Sequence, residues 1–206
     1  MHKKVGILRK YALKAALKRH EDFQEFLGVR MRKLPSDCLA IMKLLNRCRP
    51  KVVVETGSQR GGSALMIATF AQSIGLEAVI SLDVAQAPRL EHPMIKFITG
   101  DSSSPEISAR VHELVGGRPC ALILDSNHFT GHVLKELRLY HDLIGPGQGL
   151  VVEDTHVDVL NFREFKKEGG PLLALAEFLK SEKSFVEAEG VEPYITTNYF
   201  GYLVRR

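Results

Sequence analysis

From Lys51 onward, short and almost wholly apolar runs alternate with longer stretches of helical periodicity. This alternation constrains the fold more than any other feature of the chain. KVVVET (51–56), AVISLDV (78–84), MIKFITGD (94–101), CALILDS (120–126) and GLVVEDT (149–155) read as strands. SALMIATFAQSI, SPEISARVHELVG, TGHVLKELRLYHDLI and GPLLALAEFLKS read as the helices between and after them, and SFVEAEGV and YFGYLVRR as two late strands. Ahead of the series, LPSDCLAIMKLLNRC reads as a helix opened by Pro35 and Ser36 and stopped before Pro50. Strands without polar alternation are covered on both faces, which requires a mostly parallel sheet between two helical layers. The expected class is therefore α/β, a Rossmann-like sheet with helices on both faces. The 206 residues show no repeat and no linker, so we expect one domain over 21–206, preceded by a basic amphipathic helix over 1–20.

Charge separates these two parts. Residues 1–20 hold seven lysines and arginines and no acid, against a net charge of +4 for the whole chain, so the remainder carries −3. A basic segment confined to one end does not describe a nucleic-acid-binding domain. Leu8, Tyr11, Ala12 and Ala15 recur at helical spacing, and that face is expected to pack on the domain or on a second copy in a homo-oligomer. Contact with a membrane surface or an acidic partner is the other reading. No apolar run reaches the ~18 residues of a transmembrane segment, and no secretory signal is evident. The cysteines Cys38, Cys48 and Cys120 have no metal-like spacing and suit reduced thiols, so the expected location is cytoplasmic.

In a sheet of this kind, ligands bind beyond the carboxyl ends of the strands. An acid stands at each of the five ends: Glu55, Asp83, Asp101, Asp125, and the Glu153–Asp154 pair. The first turn reads E-x-G-x-x-x-G through Glu55, Gly57 and Gly61. Gln59 occupies the place where a dinucleotide fingerprint needs glycine, and no G-K-[ST] follows for a phosphate loop. The spacing is that of class I S-adenosylmethionine-dependent methyltransferases, whose cofactor carries no phosphate. Asp83 would then take the ribose hydroxyls, and Asp101 and Ser102 would flank the adenine.

ILDSNH and VVEDTH bring Asp125, Glu153 and Asp154 together if their strands are neighbours. Three converging carboxylates repel unless a cation holds them or one is protonated, and all-oxygen ligands suit Mg²⁺ or another divalent cation. Neighbouring residues of a strand face opposite ways, so Glu153 and Asp154 both reach a metal only if the chain leaves the sheet there. His128 reads as a general base, a substrate contact or a structural hydrogen-bond partner, and His132 as a surface or packing residue.

The pieces FLGVRMRKLPSD, RPKVVVETGSQRGGSAL, VISLDV, HPMIKFITGDSSSPEI, ALILDSNHFTGHVLKELRLY, PGQGLVVEDTHV, GGPLLALAEFL and GYLVRR run through residues 26–206. Together they resemble the cephalosporin hydroxylase and rhamnosyl O-methyltransferase family of class I methyltransferases. The resemblance implies S-adenosylmethionine on Glu55, Gly57, Ser58, Gly61, Ser63, Asp83, Asp101 and Ser102. It implies a divalent cation on Asp125, Glu153 and Asp154. The chain departs from the family pattern at Asn127, where an acid is usual, at His156, where asparagine is usual, and at Phe26.

The implied activity is metal-assisted O-methylation of a hydroxyl on a small molecule, a sugar or natural product, with Asp125 and His128 catalytic. Two alternatives stand beside it. One is an iron-dependent hydroxylase using Asp125, His128 and His156. The other is a non-catalytic member that binds the cofactor alone.

Overall fold

The computed structural model describes residues 5–19, 24–85 and 90–206. Lys3 and Lys4 of the basic segment, and the expected boundary at residues 20–21, lie outside these. Helix α1 (Ile7–Arg19) precedes a hairpin of β1 (Gln24–Phe26) and β2 (Val29–Met31), then α2 (Pro35–Cys48). The alternating series follows as β3 (Val52–Thr56), α3 (Gly62–Gln72), β4 (Ala78–Asp83), β5 (Ile95–Thr99), α4 (Pro105–Val115), β6 (Cys120–Leu124), α5 (Thr130–Tyr140) and β7 (Gly149–Val152). A single turn α6 (His156–Val159), helix α7 (Pro171–Ser181), and strands β8 (Phe185–Glu187) and β9 (Tyr202–Arg205) complete it.

Seven strands form one sheet in the order β5-β4-β3-β6-β7-β9-β8. The first five in that order run parallel, while β9 is antiparallel to β7 and to β8. The expected architecture is therefore present. The early hairpin is an addition, and the late strands are shorter than their apolar runs suggested. The strand order reverses at β3, whose neighbours are β4 and β6, and a crevice opens at that point.

Side-chain parity divides the core. Val53, Val79, Ala121, Ile123 and Val151 pack under α2 and α3. Val52, Val54, Ile80, Leu122, Leu124 and Val152 pack under α4, α5 and α7. The same parity settles the rim. Glu55 continues the row of Val53, Asp125 that of Ile123, and Glu153 that of Val151, so all three point to the α2 side. Leu124 pairs with Val152, which sets Asp125 level with Glu153.

Helix α1 packs on its own chain, but not by the expected stripe. Leu8 and Tyr11 are 73% and 65% exposed, whereas Leu13 is fully buried against Leu34 and Tyr199. Polar anchors decided the orientation. Arg9 pairs with Glu192 at 2.9 Å and donates to the Tyr194 carbonyl, and Lys10 donates to the Val159 carbonyl at 2.9 Å. The Arg9 guanidinium also lies over the rings of Tyr194 and Tyr199.

Candidate functional site

The turn after β3 is shaped by two glycines. Gly57 has φ +87°, and a Cβ there would lie 1.9 Å from the Asp125 carbonyl oxygen, so no side chain fits. Gly61, at φ +83°, precedes α3 and donates to the Ser58 carbonyl at 2.7 Å. The backbone of the turn therefore closes directly on the β6 loop. Asp83, at the end of β4, accepts from the Gln59 and Ala85 amides at 2.8 and 2.9 Å, which fixes its carboxylate at the lip of the crevice.

Beneath the turn lies a polar floor. Glu55 is fully buried and accepts from Ser81 Oγ at 2.8 Å, and Ser81 also contacts Ser58 Oγ at 2.7 Å. Ser63, in the first turn of α3, is buried on the same side. Burial pushes the Glu55 pKa up, against the opposing pull of Lys33. Its Oε1 accepts no hydrogen bond, an orphaned acceptor aimed beneath the turn.

At the end of β5, Asp101 accepts from the Ser103 amide at 2.8 Å, and this bond lowers its pKa. Ser102 is buried, with Oγ 3.3 Å from His132 Nε2 and its carbonyl accepting from Tyr140. His132 also meets Ser126 Oγ at 3.1 Å and Glu136 at 3.5 Å. It packs where expected and holds Ser102 and Ser126 together across two strands.

The second half of the site contains a residue the motifs did not single out. The Lys33 ammonium lies 2.8 Å from Asp125 Oδ2 and 2.6 Å from Glu153 Oε1. It arrives from the segment between β2 and α2, on the face that Glu55, Asp125 and Glu153 share. The charge argument asked for a cation beside these acids and took it to be a metal; the structure puts a lysine ammonium there.

Asp154 breaks from the strand at φ +54°, a left-handed conformation that aspartate tolerates better than most residues. Its amide donates to Asn198 Oδ1 at 2.9 Å, which holds the turn. Asp154 thereby leaves the sheet and reaches the β6 loop, where its Oδ2 sits 3.2 Å from His128 Nε2. Asp125, His128 and Asp154 each offer a ligand atom within 4.8 Å of the others, the one such metal-competent group among the described residues. Glu153, expected among the ligands, lies immediately behind them in the hands of Lys33. Asn127 is turned away in a local loop bond, accepting from the Phe129 amide at 3.0 Å. His156 is buried with Nδ1 3.2 Å from the Thr197 carbonyl, and burial lowers its pKa.

The residues fit a divalent cation on charge and on donor type. One ammonium stands against buried Glu55 and Glu153 and half-buried Asp125, with Asp154 beside them, so the carboxyl groups outnumber it. Burial, foremost, raises the pKa of both Asp125 and Glu153 despite Lys33, with Asp154 adding to the rise at Asp125 and Asp125 to that at Glu153. The two carboxylates, Asp125 and Asp154, suit Mg²⁺ or Mn²⁺ better than a two-histidine iron triad, and leave the His128 imidazole beside the cation rather than on it.

These groups line the floor of a cavity of about 620 Å³. Gln59 of the glycine turn reaches it, Val157, Leu160, Phe162 and Phe165 wall it, and Lys14, Leu17 and Lys18 of α1 close one side. Asp158 holds the wall by accepting from the Gly170 and Leu172 amides at the start of α7.

Known structures repeat this sheet. CmcI with magnesium and S-adenosylmethionine superposes with a TM-score of 0.68 at 21% identity, over 89% of this chain and 76% of that one. CalS11, a TDP-rhamnose 3'-O-methyltransferase of calicheamicin biosynthesis, gives 0.59 at 14% identity, over 96% and 93%. Both likenesses establish the class I methyltransferase fold. In sequence, the rhamnosyl O-methyltransferase of Mycobacterium leprae is 34% identical over 139 residues, 65% of this chain and 61% of that protein. Its counterpart in Mycobacterium tuberculosis H37Rv is 32% identical over 140 residues, covering 57% of its own length. The chain thus spans about three fifths of the curated relatives it matches. A family model, Rhamnosyl O-methyltransferase/CmcI, matches residues 18–206, which include every strand of the sheet and every acid of its rim, and the chain belongs to that family.

Proposed function

We infer that the protein is an S-adenosylmethionine-dependent O-methyltransferase, assisted by a divalent cation, that acts on a hydroxyl of a small molecule such as a sugar or natural product. The observation that carries this reading is one cavity shared by Gln59 of the glycine turn and the Asp125–His128–Asp154 cluster. A methyl donor over the turn and an acceptor over the cluster would meet there. CmcI in complex with Mg and S-adenosylmethionine, and MycE in complex with Mg and S-adenosylhomocysteine, support the same pair of ligands.

When bound, the cofactor supplies an electrophilic methyl on sulfur, and the cation lowers the pKa of the acceptor hydroxyl as a Lewis acid. The chain's own residues do the rest. Gly57 and Gly61 keep the turn low enough for the cofactor to lie across it, and Glu55, Ser58 and Ser63 support it from beneath. Asp83 would take the ribose hydroxyls, and Asp101 and Ser102 would flank the adenine. Asp125 and Asp154 would hold the cation, with Glu153 behind them. His128, whose Nε2 faces Asp154, receives the acceptor proton. The remaining contribution is alignment of two bound reactants.

Residues 1–20 form an accessory element to a catalytic domain over 21–206. The outward stripe of Leu8 and Tyr11 suits self-association, and the expected location is the cytoplasm. No helix of the described residues is long and apolar enough to cross a membrane.

The hydroxylase reading needs Asp125, His128 and His156 together. His156 Nδ1 is instead engaged by Thr197, and Asp154 takes its place in the cluster. Calorimetric titration with S-adenosylmethionine and S-adenosylhomocysteine, with and without Mg²⁺, tests the proposal. Both ligands should bind, with a cation-dependent step. Failure of either to bind under any condition would end it.

A further inference from the structure

Taking the methyltransferase reading as its basis, we propose that the acceptor is an anion. Its ionised group, phosphate or carboxylate, lies against Lys14 and Lys18 of α1 while its reacting hydroxyl reaches the Asp125–Asp154 floor. Lys14 and Lys18 are one helical turn apart and line the same cavity as those carboxylates, with Leu17 between them on that face. Like charges at this spacing repel and weaken a helix, so the pair is a liability unless something negative sits before it. Two other cations of α1, Arg9 and Lys10, are spent on docking it, through Glu192 and the Val159 carbonyl.

The docking fixes the distance between the two ends of the cavity. Val159 closes α6, the turn that begins two residues after Asp154, so the basic wall and the acidic floor are tied to one short segment. Arg32, next to Lys33 in the chain, adds a third cation to the lining, and Glu164 is the acid among the cavity's outer residues. The outer cavity is therefore positive, while its floor carries the carboxylates Asp125 and Asp154 that the proposed cation would occupy. A neutral acceptor would gain nothing from the wall, whereas an anionic one would be oriented by it, anion outward and hydroxyl inward. Lys14 lies outside the residues that the family model matches and Lys18 is the first of them, so the lysine pair straddles that boundary.

The test is calorimetry on the full chain at low salt with EDTA present. The probes are inorganic pyrophosphate, glucuronate and glucose. At least one anion should bind with one-to-one stoichiometry, and glucose should not. Lys14→Gln/Lys18→Gln should weaken that binding about tenfold, while Lys180→Gln/Lys183→Gln, which removes the same charge from α7, should leave it unchanged. Tighter pyrophosphate points to a phosphate-bearing acceptor and tighter glucuronate to a carboxylate. No anion binding, or equal weakening in both double variants, overturns the proposal. S-adenosylhomocysteine is titrated into the same proteins. If it binds while the anions do not, the anion site alone is wrong. If the anion site behaves as expected and S-adenosylhomocysteine binds nowhere, the methyltransferase reading is wrong.

Discussion

The Lys33 ammonium stands 2.6 Å from Glu153 Oε1, with side chains only 1% and 3% exposed. Burial by itself would lower the lysine's pKa, but Asp125, Glu153 and Glu55 together raise it well above its ordinary value. The lysine is thus a fixed cation at the base of the proposed metal site, and it lets buried Glu153 and half-buried Asp125 stand side by side at the ends of β7 and β6.

Replacement Lys33→Met keeps the bulk and removes the charge. A buried pair that loses one partner costs about 3–5 kcal/mol, because the remaining charge stays desolvated. Denaturant titration should show a loss of that order. Mn²⁺ or Mg²⁺ should restore more stability to the variant than it adds to the parent, since Asp125 and Glu153 would both be released toward the cation. Equal stabilisation of the two proteins would contradict this role for Lys33.

Gly57→Ala places a methyl where the Asp125 carbonyl already sits, in a backbone region that alanine resists. Left-handed strain adds about 1–2 kcal/mol to the clash. The β3 turn and the β6 loop should separate. S-adenosylhomocysteine affinity should fall at least tenfold, as read by calorimetry, with a lowered melting temperature. Unchanged affinity would mean that the turn does not carry the cofactor.

The cluster at the floor separates ligand from base. Asp154→Ala should weaken Mn²⁺ binding by more than tenfold while leaving S-adenosylhomocysteine binding nearly unchanged in the absence of metal. His128→Gln should retain Mn²⁺ within a few-fold and lower turnover. A large loss of Mn²⁺ affinity in His128→Gln would make it a ligand instead. Asn127→Asp should shift Mn²⁺ affinity by less than about threefold, because the side chain is already committed to the Phe129 amide.

The sheet was readable because continuous apolar runs specify buried parallel strands, and the acids at their ends were readable because the register of such strands aligns their exits. Lys33 was not, since a lysine beside Arg32 resembles any solvated basic stretch until parity turns three acids toward it. The face by which α1 meets its own domain is set by contacts that periodicity does not record. Periodicity records where apolar residues cluster, but Arg9 and Lys10 found carbonyl and carboxylate partners and Leu13 found Leu34 and Tyr199. Those contacts rotate Leu8 and Tyr11 outward. The turn at Asp154 depends on Asn198, which lies 44 residues away in sequence.

That same distant segment yields a further prediction. Buried Asp37 accepts from Thr196 Oγ1, the Thr197 amide at 3.0 Å and the Tyr202 hydroxyl at 2.8 Å. Thr197 and Asn198 in turn receive the His156 and Asp154 amides. Asp37→Ala strands several buried donors at about 1–3 kcal/mol each. Beyond a stability loss of about 3 kcal/mol or more, it should weaken Mn²⁺ binding although Asp37 touches no proposed ligand. Asp37→Asn should recover part of both, because the amide oxygen still accepts.

His132 provides the pH dependence. Its hydrogen bond to Glu136, foremost, raises its pKa above the ordinary histidine value, and partial burial opposes this. A raised folded-state pKa means stability that is complete below the unfolded value of about 6.5 and is lost as pH rises through the folded value. Stability measured between pH 6 and pH 8.5 should therefore fall with rising pH, and His132→Gln should flatten that slope. An NMR titration of the His132 ring should show a midpoint above 6.5. A midpoint at or below it would remove the Glu136 pairing from the account. Because the ring also touches the Ser102 and Ser126 hydroxyls, S-adenosylhomocysteine affinity should decline over the same pH range in the parent and not in His132→Gln.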